Sequence, residues 1–281
     1  MNRHPNLLAL AAILQWGSLA ALTVHLASVP PFLLLGLTLC VGSLTCLPSW
    51  RAWRVPVRTF AVGTGGIFGY HLCLFLALRS APPLDAMLIN YLWPLLIVLL
   101  SPLVLSGVRL QARHIAGGIA GFAGCALVML GKGEFGFAGQ YGAGYGLAMA
   151  AAVLWALYSL LTRRLPAFPS AAVGGFCLMS GVLALMTHAL IEPAFSLTIS
   201  QWGMVLLLGL GPMGIAFYCW DAALKRGDAR TIGTLAYLTP VLSTVMLAVF
   251  ANGKLNIYTV SALGLILGGA WLGRDVRPEN A

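Results

Sequence analysis

The sequence predicts an all-α integral membrane protein: ten transmembrane helices forming two inverted five-helix repeats around a central cavity. Three observations carry that expectation. The chain is 60% hydrophobic and only 8% charged, with a mean hydropathy of +0.92, whereas soluble domains carry about 25% charged residues. Its apolar runs come in lengths of about twenty residues, the helical span of a bilayer core, where backbone groups must hydrogen-bond internally. Its second half repeats the glycines and prolines of its first.

Cutting at charges, Pro and Gly gives spans at 6–25, 30–48, 59–79, 84–105, 111–131, 142–163, 170–190, 199–224, 229–250 and 257–274. The first follows a basic residue, as a signal peptide would. It is nearly a full span and has no small-x-small cleavage site after it, so it reads as a retained helix. With the N-terminus inside, thirteen of the sixteen Lys and Arg fall in cytoplasmic segments, among them Arg3, Arg51, Arg109, Arg163, Arg230, Arg274 and Arg277. Arg79, Lys132 and Lys254 remain outside, with Asp85, Glu134 and Glu192. This asymmetry places both termini on the cytoplasmic side.

The net charge of +9 comes from bases scattered between apolar runs, not from a basic face with interleaved aromatics, so nucleic acid is excluded as a partner. Cys40, Cys46, Cys73, Cys125, Cys177 and Cys219 all lie in apolar runs without ligand spacing, and read as small buried hydrophobes. No metal or cofactor is expected. An intramembrane enzyme would need converging nucleophiles, acids or metal ligands, and the sequence has no H-E-x-x-H, acidic pair or Ser–His arrangement.

A constant offset of 146 aligns spans three to five on spans eight to ten: Gly63 on Gly209, Gly65 on Gly211, Cys73 on Cys219, Tyr91 on Tyr237, Pro94 on Pro240, Gly107 on Gly253 and Gly118 on Gly264. Spans one and six align at 139 through Trp16 and Trp155. The halves are therefore 1–137 and 138–281. Five helices per half is an odd number, so the second half enters from the opposite side. Inverted repeats of this kind hold substrate near the midplane in many secondary transporters.

Ten spans in five-plus-five form, the Trp16-Gly17-Ser18 triplet and the Y-L-x-P motif of both halves resemble the drug/metabolite transporter superfamily, EamA type. The stretch FGYHLCLFLALRSAPPLDAMLINYLWPLLIVLLS (68–101) resembles more closely the aromatic amino acid exporters within it. The resemblance implies an inner-membrane exporter of aromatic amino acids, acting without cofactor on a small molecule, with the lipid bilayer as surroundings and as a monomer or weak dimer. Export of other amino acids or of hydrophobic drugs and metabolites is the alternative.

Polar and aromatic residues at mid-span are the candidates for the path, since bare polarity in hydrocarbon normally faces the bundle interior. They are Gln15 and Trp16 in the first span, Tyr70 and His71 in the third, Asn90 and Trp93 in the fourth, Trp155 and Tyr158 in the sixth, and Tyr218 in the eighth. His71 reads either as a neutral imidazole bonded to a neighbouring helix or as a contact to substrate or proton. Tyr91 and Tyr237 recur in both halves and read as scaffold, as do Pro94, Pro240 and Pro212, with Gly65 and Gly211 as close-packing or hinge positions. Pro94 leaves the Asn90 carbonyl, and Pro240 the Ala236 carbonyl, without its helical donor. Asn90 and Trp93 do not recur, and are the better candidates for cargo. Asp221 and Lys225 are spaced as a local ion pair.

Overall fold

The computed structural model describes residues 5–131, 133, 135–250 and 257–273. Arg3, Lys132, Glu134, Gly253, Lys254, Arg274 and Arg277 of the charge and repeat patterns lie outside the described residues. Among the described residues, eight helical segments are long and apolar enough to cross a membrane: Pro5–Thr23, Pro31–Trp53, Val57–Ser80, Pro83–Val104, Ala112–Leu130, Gly139–Arg164, Ser170–Ile191 and Ile199–Arg226. Ile257–Leu272 is a shorter apolar helix. The stretch expected as one span at 229–250 is divided into two helices.

The α-helices are α1 (Pro5–Thr23), α2 (Pro31–Ser43), α3 (Val57–Ser80), α4 (Pro83–Asn90), α5 (Trp93–Val104), α6 (Ala112–Leu130), α7 (Gly142–Arg164), α8 (Val173–Ile191), α9 (Ile199–Leu210), α10 (Ala216–Arg226), α11 (Ala229–Leu235), α12 (Leu238–Phe250) and α13 (Ile257–Leu272). The breaks fall where the sequence removes a backbone donor. Pro94 lacks an N–H, and the helix stops at Asn90 and restarts at Trp93. Pro240 divides α11 from α12 in the same way. Pro212 sits in a π-helical segment, Gly211–Ile215, that joins α9 to α10, a wider turn of the kind that relieves a proline within a helix. Asp228 caps α11, accepting from the N–H groups of Arg230 and Thr231.

Two peripheral helix pairs, α6 with α13 and α2 with α8, flank a centre made by α1, α3, α5, α7, α10 and α12. Glycine allows the closest approaches, as expected in lipid, where packing rather than water exclusion joins helices. A Cβ on Gly117 would stand 2.5 Å from the Gly269 carbonyl oxygen, and one on Gly269 would stand 2.6 Å from that of Gly117. In the matching glycine-rich stretches 62–69 and 208–214, Gly63, Gly66, Gly209 and Gly214 make similarly close contacts. The close-packing role expected of Gly65 and Gly211 needs correction. A Cβ on Gly65 would meet nothing within 4 Å, and one on Gly211 only Gln15 Oε1 at 3.5 Å. Gly65 points away from its neighbours, whereas Gly211 opens the π-helical segment.

The two ends of the bundle are tied differently. At the end carrying the basic loops, Arg230 donates to the Arg109 carbonyl at 2.6 Å and pairs with Asp228 at 2.8 Å, while Arg163 donates to the Gly227 carbonyl at 2.9 Å. Burial pushes the Asp228 carboxyl up, but Arg230 and the capping N–H groups outweigh it and hold it below the ordinary carboxylate range. At the opposite end Glu192, buried at the C-terminus of α8, accepts from the Phe32 and Leu33 N–H groups and pairs with Arg79 at 2.7 Å. There a negative side chain meets the positive end of α2. Asp85, expected in a loop, lies fully buried in the first turn of α4, accepting from Gly136 N–H and Tyr145 O–H.

The contrast among glycines is directly testable. Gly117→Ala forces the α6 and α13 backbones apart and should destabilise the detergent-solubilised protein by about 1–3 kcal/mol, read as an unfolding temperature several degrees lower. Gly65→Ala should leave it unchanged or raise it slightly, since Ala is the better helix former.

Candidate functional site

A cavity of about 1030 Å³ occupies the centre of the bundle. Its deep end is walled by Trp16 of α1, Tyr70 and His71 of α3, Trp93 of α5, Trp155 of α7 and Phe217 of α10. It widens past Leu34, Leu74 and Met87 to the 23–31 connection and the start of α4, where the exposed Ala27 and Pro83 form its rim. The rim is therefore at the end opposite the basic loops, and the Arg230, Asp228 and Arg163 bonds lie below the closed floor. Among the lining residues there is no Asp, Glu, Lys or Arg.

The floor is an aromatic stack. Trp16 meets Trp155, Phe217 and Trp220 at ring separations of 5.7, 5.8 and 5.2 Å. Trp93 meets Trp155 at 6.2 Å and Trp220 at 5.6 Å, both edge to face. Tyr70 lies 5.0 Å from Trp155. Such pairs are worth about 0.5–1.5 kcal/mol each beyond area burial. Trp16 is anchored at its polar edge: its indole N–H donates to the Pro212 carbonyl at 3.1 Å, on the π-helical turn. The kink at Pro212 thus serves the site, by turning a carbonyl out of the helix toward α1.

His71 Nδ1 lies 2.8 Å from the Ile67 carbonyl and, since a carbonyl can only accept, donates to it. Its partner is one turn back in its own helix, not the neighbouring helix that the sequence led us to expect. The ring packs against Tyr70, Phe75 and Phe217. Asn90 ends α4 and donates through Nδ2 to the Tyr70 hydroxyl at 3.4 Å. Asn90 and Thr239 both border the cavity, but Asn90 Oδ1 and Thr239 Oγ1 are themselves buried, with no hydrogen-bond partner among the described residues.

The two repeated tyrosines occupy different surroundings. Tyr91 lines the cavity, whereas Tyr237 is fully buried outside it. The Tyr237 hydroxyl accepts from the Leu95 N–H at 3.2 Å, the amide one residue past Pro94. It satisfies a donor that the broken helix has left over.

Six of the nine residues expected to meet cargo line one cavity: Trp16, Tyr70, His71, Asn90, Trp93 and Trp155. Gln15, Tyr158 and Tyr218 do not. Gln15 bonds back to the Ala11 carbonyl, and being one position from Trp16 it is turned about 100° around the helix. Tyr218 stands in the same relation to Phe217. Tyr158 packs beneath Trp155 at 5.3 Å. Phe217, Phe75, Thr239 and Trp220 are the site residues that the sequence reading passed over. The offset of 146 pairs Phe217 with His71 and Thr239 with Trp93, and that pairing is the signal available for those two. Asp221 and Lys225 form their ion pair at 2.7 Å, away from the cavity lining.

This geometry belongs with a known set of proteins. The chain is 44% identical over 274 residues to the aromatic amino acid exporter YddG of Ancylobacter novellus, covering 94% of this chain and 95% of that one. It is 27% identical to a probable amino-acid metabolite efflux pump of Salmonella typhimurium, over 97% and 95% of the two chains. YddG of Escherichia coli is 24% identical over 79% and 78%. A crystal structure 41% identical in sequence superimposes with a TM-score of 0.91 over 97% of this chain and 98% of its own. Residues 5–130 and 142–273 each match the same family model, and with two matches covering most of its length the chain belongs to the EamA-like transporter family.

Proposed function

We propose that the protein exports aromatic amino acids and related small metabolites across the bacterial inner membrane by alternating access, with no covalent chemistry. The carrying observation is the cavity itself. It is walled by Trp, Tyr and Phe rings, offers a few neutral polar groups and holds no carboxylate, ammonium or guanidinium. An aromatic side chain gains stacking and edge contacts there. The absence of a fixed charge keeps the cargo from being held too firmly to leave. The relatives named as aromatic amino acid exporters support the choice of cargo.

In this reading the chain makes ten spans, with α4 and α5 as the fourth, α11 and α12 as the ninth and α13 as the tenth. Residues 1–137 and 138–281 are the two inverted halves, and both termini are cytoplasmic. The helix packing supports the inversion, because its most extensive contacts map onto one another when each span is exchanged for its counterpart. The contacts α2–α8, α6–α13 and α5–α11 join counterparts. Contact α3–α7 mirrors α1–α10, α5–α7 mirrors α1–α12, and α2–α9 mirrors α3–α8. The cavity is then outward-facing, and its inward-facing form arises when the halves exchange roles. Tyr237 would leave Leu95 and enter the cavity wall as Tyr91 leaves it, which turns the asymmetry of the repeated tyrosines into the switch.

Two outcomes are expected. In proteoliposomes, flux of labelled tryptophan should be competed by phenylalanine and tyrosine but not by lysine or aspartate. Trp155→Ala should weaken it roughly tenfold through the loss of two or more ring contacts; equal competition by all amino acids would contradict the assignment of cargo. Tyr237→Phe strands the Leu95 N–H, at a cost of about 1–3 kcal/mol, so hydrogen exchange at residues 92–97 should quicken by tenfold or more. Unchanged exchange there would remove Tyr237 from the switch.

A further inference from the structure

We propose that a groove on the membrane-facing side of α8 binds an anionic phospholipid, with one acyl chain in the groove and the phosphate on Arg51 and Arg54. The groove shares no lining residue with the central cavity, so the inference is independent of the cargo.

The groove has a volume of about 220 Å³ and is lined by Trp53, Phe60, Gly175, Leu178, Met179 and Val182. The last four follow i, i+3, i+4, i+7 spacing and share one face of α8. They run for about 10 Å from the first turn of that helix, at the end carrying the basic loops, toward its middle. Leu178, Met179 and Val182 are 39%, 41% and 41% exposed, so this face is apolar and uncovered along the direction an acyl chain takes from the headgroups into the bilayer. Gly175 lets Trp53 close the groove at its charged end: a Cβ there would stand 3.1 Å from that of Trp53. Phe60, held edge to face on Phe176 at 5.7 Å, makes another part of the wall.

Positive charge is concentrated where the headgroup would lie. Arg54 directly follows Trp53, so a phosphate at one and a chain entering beside the other are within the span of one lipid. Arg51 and Arg54 are three apart at the end of the 3₁₀ segment Leu44–Trp53, where the Arg54 N–H donates to the Arg51 carbonyl at 3.3 Å. Their guanidiniums stand over the same Trp50 ring, 6.0 and 5.2 Å from its centre. The ring holds both groups by their faces and leaves their N–H edges for the oxygens of a phosphate. Among the described residues neither makes an ion pair or a side-chain hydrogen bond, whereas Arg163, Lys225 and Arg230 at the same end bond carbonyls or carboxylates. Arg58 adds a third exposed cation in the first turn of α3, and no Asp or Glu precedes residue 85. Trp50 is 47% exposed and suits the headgroup level, where Trp collects. Basic pockets of this kind beside transmembrane helices recognise anionic headgroups.

The test is equilibrium binding of labelled phosphatidylglycerol to the delipidated full chain in detergent. Phosphatidylcholine with the same acyl chains carries a compensating cation and should compete about tenfold or more weakly. Glycerol phosphate, which lacks the chains, should not compete. Arg51→Gln with Arg54→Gln should weaken phosphatidylglycerol about tenfold or more and leave phosphatidylcholine unchanged. Val182→Trp, which fills the groove from an exposed position, should weaken both lipids. Arg164→Gln with Arg226→Gln removes the same charge from the same end, outside the groove lining, and should change neither. All four arginines are exposed, so both double variants should keep the native unfolding temperature. If the Arg51, Arg54 variant loses no more phosphatidylglycerol than the Arg164, Arg226 variant, net charge alone attracts the lipid and the site is wrong. Equal binding of the two lipids by the native protein, displacement by glycerol phosphate, or unchanged binding by Val182→Trp would overturn it as well.

Discussion

The structure depends on two helices that are broken inside an apolar bundle. A proline within a span leaves backbone groups unpaired, and hydrocarbon offers them nothing. Broken backbone at that depth must therefore face protein or a cavity. Here both solutions are used. Leu95 N–H is met by the Tyr237 hydroxyl from the opposite break, which ties α5 to the 236–237 turn, while Asn90 and Thr239 border the central space. The Pro212 turn repeats the logic, since its carbonyl leaves the helix and receives the Trp16 indole. Prolines that would weaken a soluble helix instead fix where the cavity lies and which groups look into it.

Around these breaks the rest of the molecule divides into parts that hold and parts that can move. The glycine-lined pairs α2–α8 and α6–α13 bring backbones into direct contact and read as rigid staves. Ion pairs sit at the two ends: Arg230 with Asp228 at one, Glu192 with Arg79 at the other. Between them the cavity is almost entirely ring and aliphatic surface. That division suits a carrier. In the proposed function, binding would come from many small ring contacts that can be remade in a second arrangement, with no deep ion pair to break for release.

Much of this was legible in the sequence. Apolar run lengths located the helices, and Pro94, Pro240 and Pro212 marked the places where they break. Trp16, Tyr70, His71, Asn90, Trp93 and Trp155 were recognisable because polar or bulky groups at mid-span have few places to go except inward. What the sequence could not resolve was helix phase to within one residue. Gln15 beside Trp16, and Tyr218 beside Phe217, differ by about 100° of rotation, and only one of each pair can face the cavity. Polarity favoured Gln15 and Tyr218, whereas packing chose Trp16 and Phe217. Gly65 and Gly211 were conspicuous through repetition, yet the contacts fall to their neighbours Gly63, Gly66, Gly209 and Gly214.

In the proposed function, cargo passes through this cavity as the rim closes and the floor opens. The most direct measurement is tryptophan flux through a variant with Ala27→Cys and Pro83→Cys at the rim, in a background whose native cysteines are replaced and whose flux is retained. The variant is joined across the mouth by a cleavable thiol cross-linker. Flux should fall to the level of empty liposomes when the mouth is joined and return when the linker is cut. Undiminished flux with the mouth fully cross-linked would contradict it.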